Sequence, residues 1–255
     1  MANNYTLGKG RLFFDPFTPG TKTRSGELYF GNTPEFTLTV ESEILDHFDA
    51  DNGIRVKDAA VPIEINRTGS FTTDNISPEN LSFFFLGTAG TFTEAGTTGR
   101  VSNLGIVTVG RFYQIGQTAA NPGGDRNLTN VVVTDSATPT PATLVLGTNY
   151  RLDAETGRIE MITAPATAVV VTYDVAASSR AQVVTSATAS LYGAMRFIAT
   201  NPEGLKRDYY MPNVLITPNG DFALKGDEWQ VIGFNVEVLK LNDQTASIYI
   251  DGRPA

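Results

Sequence analysis

Hydrophobic and polar residues alternate most regularly over residues 35–48. Phe36, Leu38, Val40, Ser42 and Ile44 fall on one face, and Thr37, Thr39, Glu41 and Glu43 on the other. A two-residue period predicts a β-strand with one buried and one wet face. Residues 61–71 repeat it, with Val61, Ile63 and Ile65 pointing one way and Pro62, Glu64, Asn66 and Thr68 the other. Together they predict a long hairpin whose connecting loop, His47 to Asp58, carries the turn signal Asn52-Gly53. The apolar face is expected to bury against a helix and the strands near Phe234 and Val236. That helix is predicted at residues 77–87, SPENLSFFFLG. Ser77 suits the cap, Pro78 the first helical position, and Glu79 the positive end of the dipole. Leu81, Phe84 and Phe85 form an apolar stripe, and Gly87 suits the stop of a three-turn helix.

Residues 88–105 are Gly/Thr-rich and weakly patterned, and a separate run of short strands follows. These are 107–115, 131–134, a hairpin over 150–161 turning at residues 155–157, and 169–173. Pro139 and Pro141 exclude a central strand between them. Residues 106–175 thus read as a small inserted, sandwich-like β unit. Residues 176–189, rich in Ala, Ser and Thr, read as a returning linker or a loose edge strand. Core patterning resumes at 191–198 and continues through 207–216, 229–239 and 246–250, with Ile232, Phe234, Val236 and Val238 alternating. Residues 1–25 read as an arm lying over another part of the protein. The expected organisation is an arm, one mainly β core domain from 26–105 with 176–255, and the insert.

Composition narrows the chemistry. Only 18% of the 255 residues are charged, against about 25% for ordinary soluble domains, while 24 glycines and 13 prolines supply turns. With no cysteine and one histidine, His47, thiolate metal sites and most general-base chemistry have no carrier. No serine occupies a nucleophile elbow, and Gly31, Gly69, Gly87 and Gly90 make no phosphate-binding fingerprint. The expectation is a protein that is not an enzyme, with no catalytic residues, no cofactor and no metal. Asp49, Asp51 and Gly53 resemble the opening of a calcium loop, but Ala60 stands where the closing glutamate belongs. The segment reads better as a charged hairpin tip. A net charge of −8 disfavours a phosphate-gripping groove. No apolar run approaches the roughly 20 residues that cross a bilayer, and residues 1–10 lack the features of a signal peptide. The chain is therefore expected to be soluble. Trp229 is expected to anchor a core or an interface.

Five stretches, taken in order, resemble the tail tube (major tail) proteins of siphophages. They are residues 26–40 (GELYFGNTPEFTLTV), 46–53 (DHFDADNG), 77–81 (SPENL), 150–159 (YRLDAETGRI) and 227–236 (DEWQVIGFNV). The resemblance covers most of the chain. It implies a β-sandwich or half-barrel with one α-helix that forms a lumenal β-barrel on hexamerisation. Hexameric rings would then stack into a tube that delivers phage DNA. The implied setting is the virion tail, assembled in the host bacterial cytoplasm. The implied partners are further copies of the chain, a tape measure protein, a tail terminator and distal tail proteins. The loop between the two long strands would contact the neighbouring ring through His47, Asp49, Asp51, Asn52, Arg55, Lys57 and Asp58. Residues 106–175 exceed a minimal tube protein and would face outward. If Thr37, Thr39, Glu41, Glu43, Glu64, Asn66 and Thr68 line the lumen, their carboxylates repel DNA phosphates, and DNA passes without specific binding. The alternative is a β-sandwich binding module, carbohydrate-binding or adhesive, using exposed aromatics such as Phe112, Tyr113 and Tyr150. A metal-dependent hydrolase would rest on His47 alone.

Overall fold

A computed structural model describes residues 5–51, 53–185 and 191–253. The chain begins with β1 (Gly10–Pro16), β2 (Leu28–Tyr29), β3 (Glu35–Asp49), β4 (Val56–Thr73) and the helix α1 (Pro78–Phe84). Then come β5 (Gly87–Glu94), β6 (Thr97–Gly105), β7 (Phe112–Gln114), β8 (Leu128–Asp135), β9 (Tyr150–Asp153), β10 (Arg158–Met161) and β11 (Val169–Val175). The chain ends with β12 (Ser178–Thr185), β13 (Leu191–Ala199), β14 (Arg207–Asn219), β15 (Ile232–Val238) and β16 (Tyr249–Gly252). Two compact units result: residues 1–90 with 182–255, and residues 91–181. Strands β5 and β12 pair with each other and carry the chain from one unit to the other and back.

The first unit is an eight-stranded antiparallel sheet in the order β2-β1-β13-β14-β15-β4-β3. The eighth strand, β16, pairs with the start of β14, whose later half pairs with β15. The sheet is open, with β2 and β3 at its edges and no closure into a barrel. Alternation along each strand turns Leu12, Phe14, Phe71, Met195, Met211, Ile216, Phe234 and Val236 onto one buried face. Phe30 and Phe234 flank Phe71 there, with ring centroids 4.7 and 5.0 Å away. The helix covers this face through Leu81, Phe83 and Phe84. At its start the Ser77 hydroxyl accepts from the Asn80 amide at 3.1 Å. The buried Asn80 side chain donates to the carbonyls of Phe30 and Asn75. It thereby ties the helix to the segments that leave β2 and β4.

Three expectations change here. Part of the stretch read as an arm lies in the sheet: β1 is an inner strand whose Leu12 and Phe14 are fully buried, and residues 1–4 lie outside the described residues. Phe13, facing outward against Tyr29, hid the alternation because it is apolar too. The helix has two turns rather than three. Leu86 takes the left-handed conformation (φ 51°) and ends it one residue early, leaving Phe85 exposed and Phe83 in its place in the stripe. Gly87 is needed for a different reason, since a Cβ there would lie 2.4 Å from the Val184 carbonyl oxygen. Finally, the hairpin strands run further than expected, so only residues 50–55 join them.

The second unit spans residues 91–181, whereas the strand pattern of the sequence placed a small β unit at 106–175. It holds two antiparallel three-stranded sheets, β7-β10-β9 and β6-β11-β8, around one core that includes Ile115, Val133, Ile159, Met161, Val171 and Tyr173. Strand β6 lies in the segment that had looked unpatterned. Of the segment 176–189, the described part is β12, a strand; residues 186–189 lie outside the described residues.

Candidate functional site

The hairpin β3–β4 is the most distinctive element of the first unit. Directly opposed residues of an antiparallel pair share a face, so the register fixes which side chains travel together. Thr37 faces Ser70, Thr39 faces Thr68, Glu41 faces Asn66 and Glu43 faces Glu64. All seven residues expected on the polar face therefore lie together, on the side away from the helix. The face continues across β15 and β14 through Asn235 with Thr217 and Glu237 with Leu215. No lysine or arginine of these four strands shares it, while Glu35, Glu41, Glu43, Glu64 and Glu237 do. Locally, Thr37 and Ser70 hydroxyls meet at 3.1 Å and the Asn66 amide donates to Glu64 at 2.7 Å. A shallow depression of about 410 Å³ lies over this face, lined by Thr37, Thr39, Thr68 and Ser70 with Asn235 and Glu237. Such a wall is polar, acidic and open, with no apolar pocket to hold a small molecule.

The opposite face departs from expectation. Phe36 and Leu38 pack against the core, but Val40 is 65% exposed and Ile65 is 52% exposed. The hairpin reaches past the helix, and nothing among the described residues covers its outer half. Two register shifts add to this. One, between Glu43 and Ile44, leaves Ile63 unpaired, so that Val61 opposes Leu45 on the Glu43 side rather than joining Ile65. In all, nine large apolar side chains between positions 40 and 65 are exposed, Leu45 and Ile54 among them. Strand β3 is also a sheet edge, 15 residues long, with its outer backbone groups unpaired within the sheet.

The candidate loop residues divide between strands and tip. His47 and Asp49 belong to β3 and Lys57 and Asp58 to β4; only Asp51 and Arg55 are in the connection, and Asn52 lies outside the described residues. Their charges are engaged along the stem. Lys57 pairs with Asp46 at 2.6 Å, His47 Nδ1 meets Asp58 at 2.6 Å, and the Arg55 guanidinium stacks over Phe48. The Asp49 carboxylate accepts from the Asp51 amide at 2.9 Å, an ordinary turn contact. Among the described residues no three His, Asp or Glu side chains are grouped to hold a metal.

Other singled-out residues scatter. Phe112 is exposed beneath the Arg158 guanidinium, Tyr113 is half-buried and accepts from the Thr108 amide, and Tyr150 is buried. They form no aromatic platform. Trp229 precedes β15 rather than opening it and is 94% exposed, so it anchors nothing in the core.

One polar constellation escaped the sequence. In the second unit the buried Asp125 carboxylate receives Arg100 at 2.8 Å, the Tyr173 hydroxyl at 2.6 Å and the Asn121 amide at 3.0 Å. Arg100 also pairs with Glu94 at 2.9 Å. Hydrogen bonding to Asp125 raises the Arg100 guanidinium further above its ordinary range. Burial first, and then the Asp125 hydrogen bond, pushes the Tyr173 phenol well above its ordinary value. Each member is satisfied by the others, which is the behaviour of a structural clamp.

A model of one protein family matches residues 5–248, nearly the whole chain. The chain belongs to this family, described as protein of unknown function UCP028589. A comparison with curated proteins gives no match. The matched span includes the hairpin, the helix and the whole insert. No helix among the described residues is long and apolar enough to cross a membrane.

Proposed function

We propose that this protein is a structural subunit that assembles with copies of itself into stacked hexameric rings, forming the tail tube of a long-tailed bacteriophage through which DNA is delivered. The observation that carries the reading is the hairpin β3–β4, whose outer apolar side chains and one full strand edge have no cover among the described residues. A two-stranded hairpin is marginal alone in water. Each buried Val, Ile or Leu contributes about 1.5–3 kcal/mol, so covering this one against a neighbour is strongly favoured. Cyclic closure removes exposed edges and supplies the cover in one step. The acidic face opposite the helix supports the same reading, because a wall of carboxylates and hydroxyls passes a polyanion without gripping it. The resemblance to siphophage tail tube proteins supplies the ring number and the DNA role. On this reading the chain is not an enzyme. The virion tail is its place, and the tape measure, terminator and distal tail proteins are its partners.

Electron microscopy of the purified protein tests assembly directly. Rings or tubes are expected; featureless monomers under all conditions would overturn the reading. Glu41→Lys with Glu43→Lys tests the lumenal role. Particles carrying both should still form tubes but deliver DNA poorly, and normal delivery would remove the acidic face from the mechanism.

A further inference from the structure

Outside the hairpin, the first unit carries a second pair of exposed features that complement each other in apolar character and charge. One is a protruding loop, residues 221–231. Trp229 is 94% and Leu224 81% exposed at its crest, and Asp221, Asp227 and Glu228 are exposed around them, against a single Lys225. Gln230 donates to the Ala223 carbonyl at 2.8 Å and holds the loop's two sides together. An indole left almost wholly in water is costly unless a partner takes it up.

The other feature is an open groove of about 1010 Å³ lined by Phe17, Pro19, Lys22, Leu86, Leu191 and Tyr192 among others. Leu86, whose left-handed backbone (φ 51°) ends the helix, forms part of its wall. Two basic residues stand beside it. The Lys22 ammonium donates to the Leu241 carbonyl at 2.6 Å, and Arg24, bridged to Phe17, lays its guanidinium over the Tyr210 ring and donates to the Tyr210 hydroxyl. The nearby Asp15 is buried and turned to the amides of Ser25 and Gly26.

From this match we infer that Trp229 and Leu224 of one copy seat in the Phe17–Leu86–Tyr192 groove of a second copy, with Asp227 and Glu228 facing Lys22 and Arg24. The contact joins two different surfaces, so it is head-to-tail and propagates into a ring or a filament. The inference rests on the self-assembly reading and adds to it a named contact that the hairpin does not provide.

The absence of cysteine makes the test direct. Two single-cysteine variants, Trp229→Cys and Thr18→Cys on the groove wall, are mixed and treated with a short bismaleimide. A cross-linked dimer should accumulate in the mixture and not with either variant alone. Trp229→Ala should keep the thermal transition of the parent, since the side chain touches no core. It should raise the concentration needed for assembly by about 30-fold, as for the loss of an interface hot spot. Asp227→Lys with Glu228→Lys should weaken assembly similarly, and adding Lys22→Glu with Arg24→Glu in the same chain should restore it. No cross-link between positions 18 and 229, or normal assembly of the Trp229→Ala variant, overturns the contact while leaving the tube reading intact. If the parent forms no rings or tubes, the tube reading falls, and the cross-link between free copies still decides this contact.

Discussion

The inserted unit and the hairpin of the first unit are built from the same elements and end in opposite states. In the insert, two small sheets close over one core, and even its buried charges are matched: Asp125 holds Arg100, Tyr173 and Asn121 at once. In the hairpin, 15- and 18-residue strands run out beyond their core with exposed apolar groups on both faces that no described residue covers. The insert is complete within itself, whereas the hairpin, on the reading proposed above, is completed by a neighbouring copy. On that reading, self-sufficiency and incompleteness mark which part serves stability and which serves assembly.

The contrast breaks most visibly if the hairpin is made self-sufficient. Val40→Asp with Ile65→Asp should abolish assembly in electron micrographs while the melting temperature of the free subunit hardly moves, since both side chains are already in water. A large drop in melting temperature would instead show that the hairpin face is part of the subunit's own core. Next in size is Asp125→Ala, which leaves Arg100 with Glu94 alone and takes the acceptor from the Tyr173 hydroxyl and the Asn121 amide. It should cost about 3–5 kcal/mol in chemical denaturation, as expected for a broken buried ion pair. The same change should leave the hairpin free to assemble. Ser77→Ala removes the helix cap and should cost about 1 kcal/mol.

The pH effects are smaller and bear on the two units separately. Tyr173 has a raised pKa, because burial and Asp125 favour its protonated form. Its contribution is complete below the ordinary phenol value near 10 and fades as pH rises beyond it. Tyr173→Phe should therefore flatten the alkaline limb of the stability curve. Asp208 behaves oppositely. Its hydrogen bond from Arg253 holds the carboxyl below its ordinary value, so the contribution is present above about pH 4 and fades as pH falls through the depressed value. Asp208→Asn should flatten the acid limb slightly, the pair being partly exposed. Denaturation midpoints at stepped pH values read both.

Much of this was legible in the chain. The alternation from Thr37 to Glu43 and from Glu64 to Thr68 marked the polar face correctly, because a two-residue period leaves little freedom in side-chain direction. The same alternation could not reveal what covers the opposite face, and Val40 and Ile65 prove to be bare. Periodicity also fails across a bulge, which is why Val61 changed sides. Strand β1 was hidden because Phe13 and Phe14 are both apolar, although only one faces the core. Asp125 gave no sign, since its partners Arg100 and Tyr173 lie 25 and 48 residues away along the chain. The clearest signal there was the Gly123-Gly124 turn, where a Cβ at Gly124 would lie 2.4 Å from Gln114.

The pairing of β5 with β12 has a practical consequence. The chain departs and returns through neighbouring strands, so the segment between them hangs from a two-stemmed socket. Foreign domains whose own ends lie side by side can be grafted there in exchange for residues 91–181, leaving the sheet, the helix and the hairpin of the host unit as they are. In a polymer of identical subunits, one such graft becomes a regular array of displayed cargo.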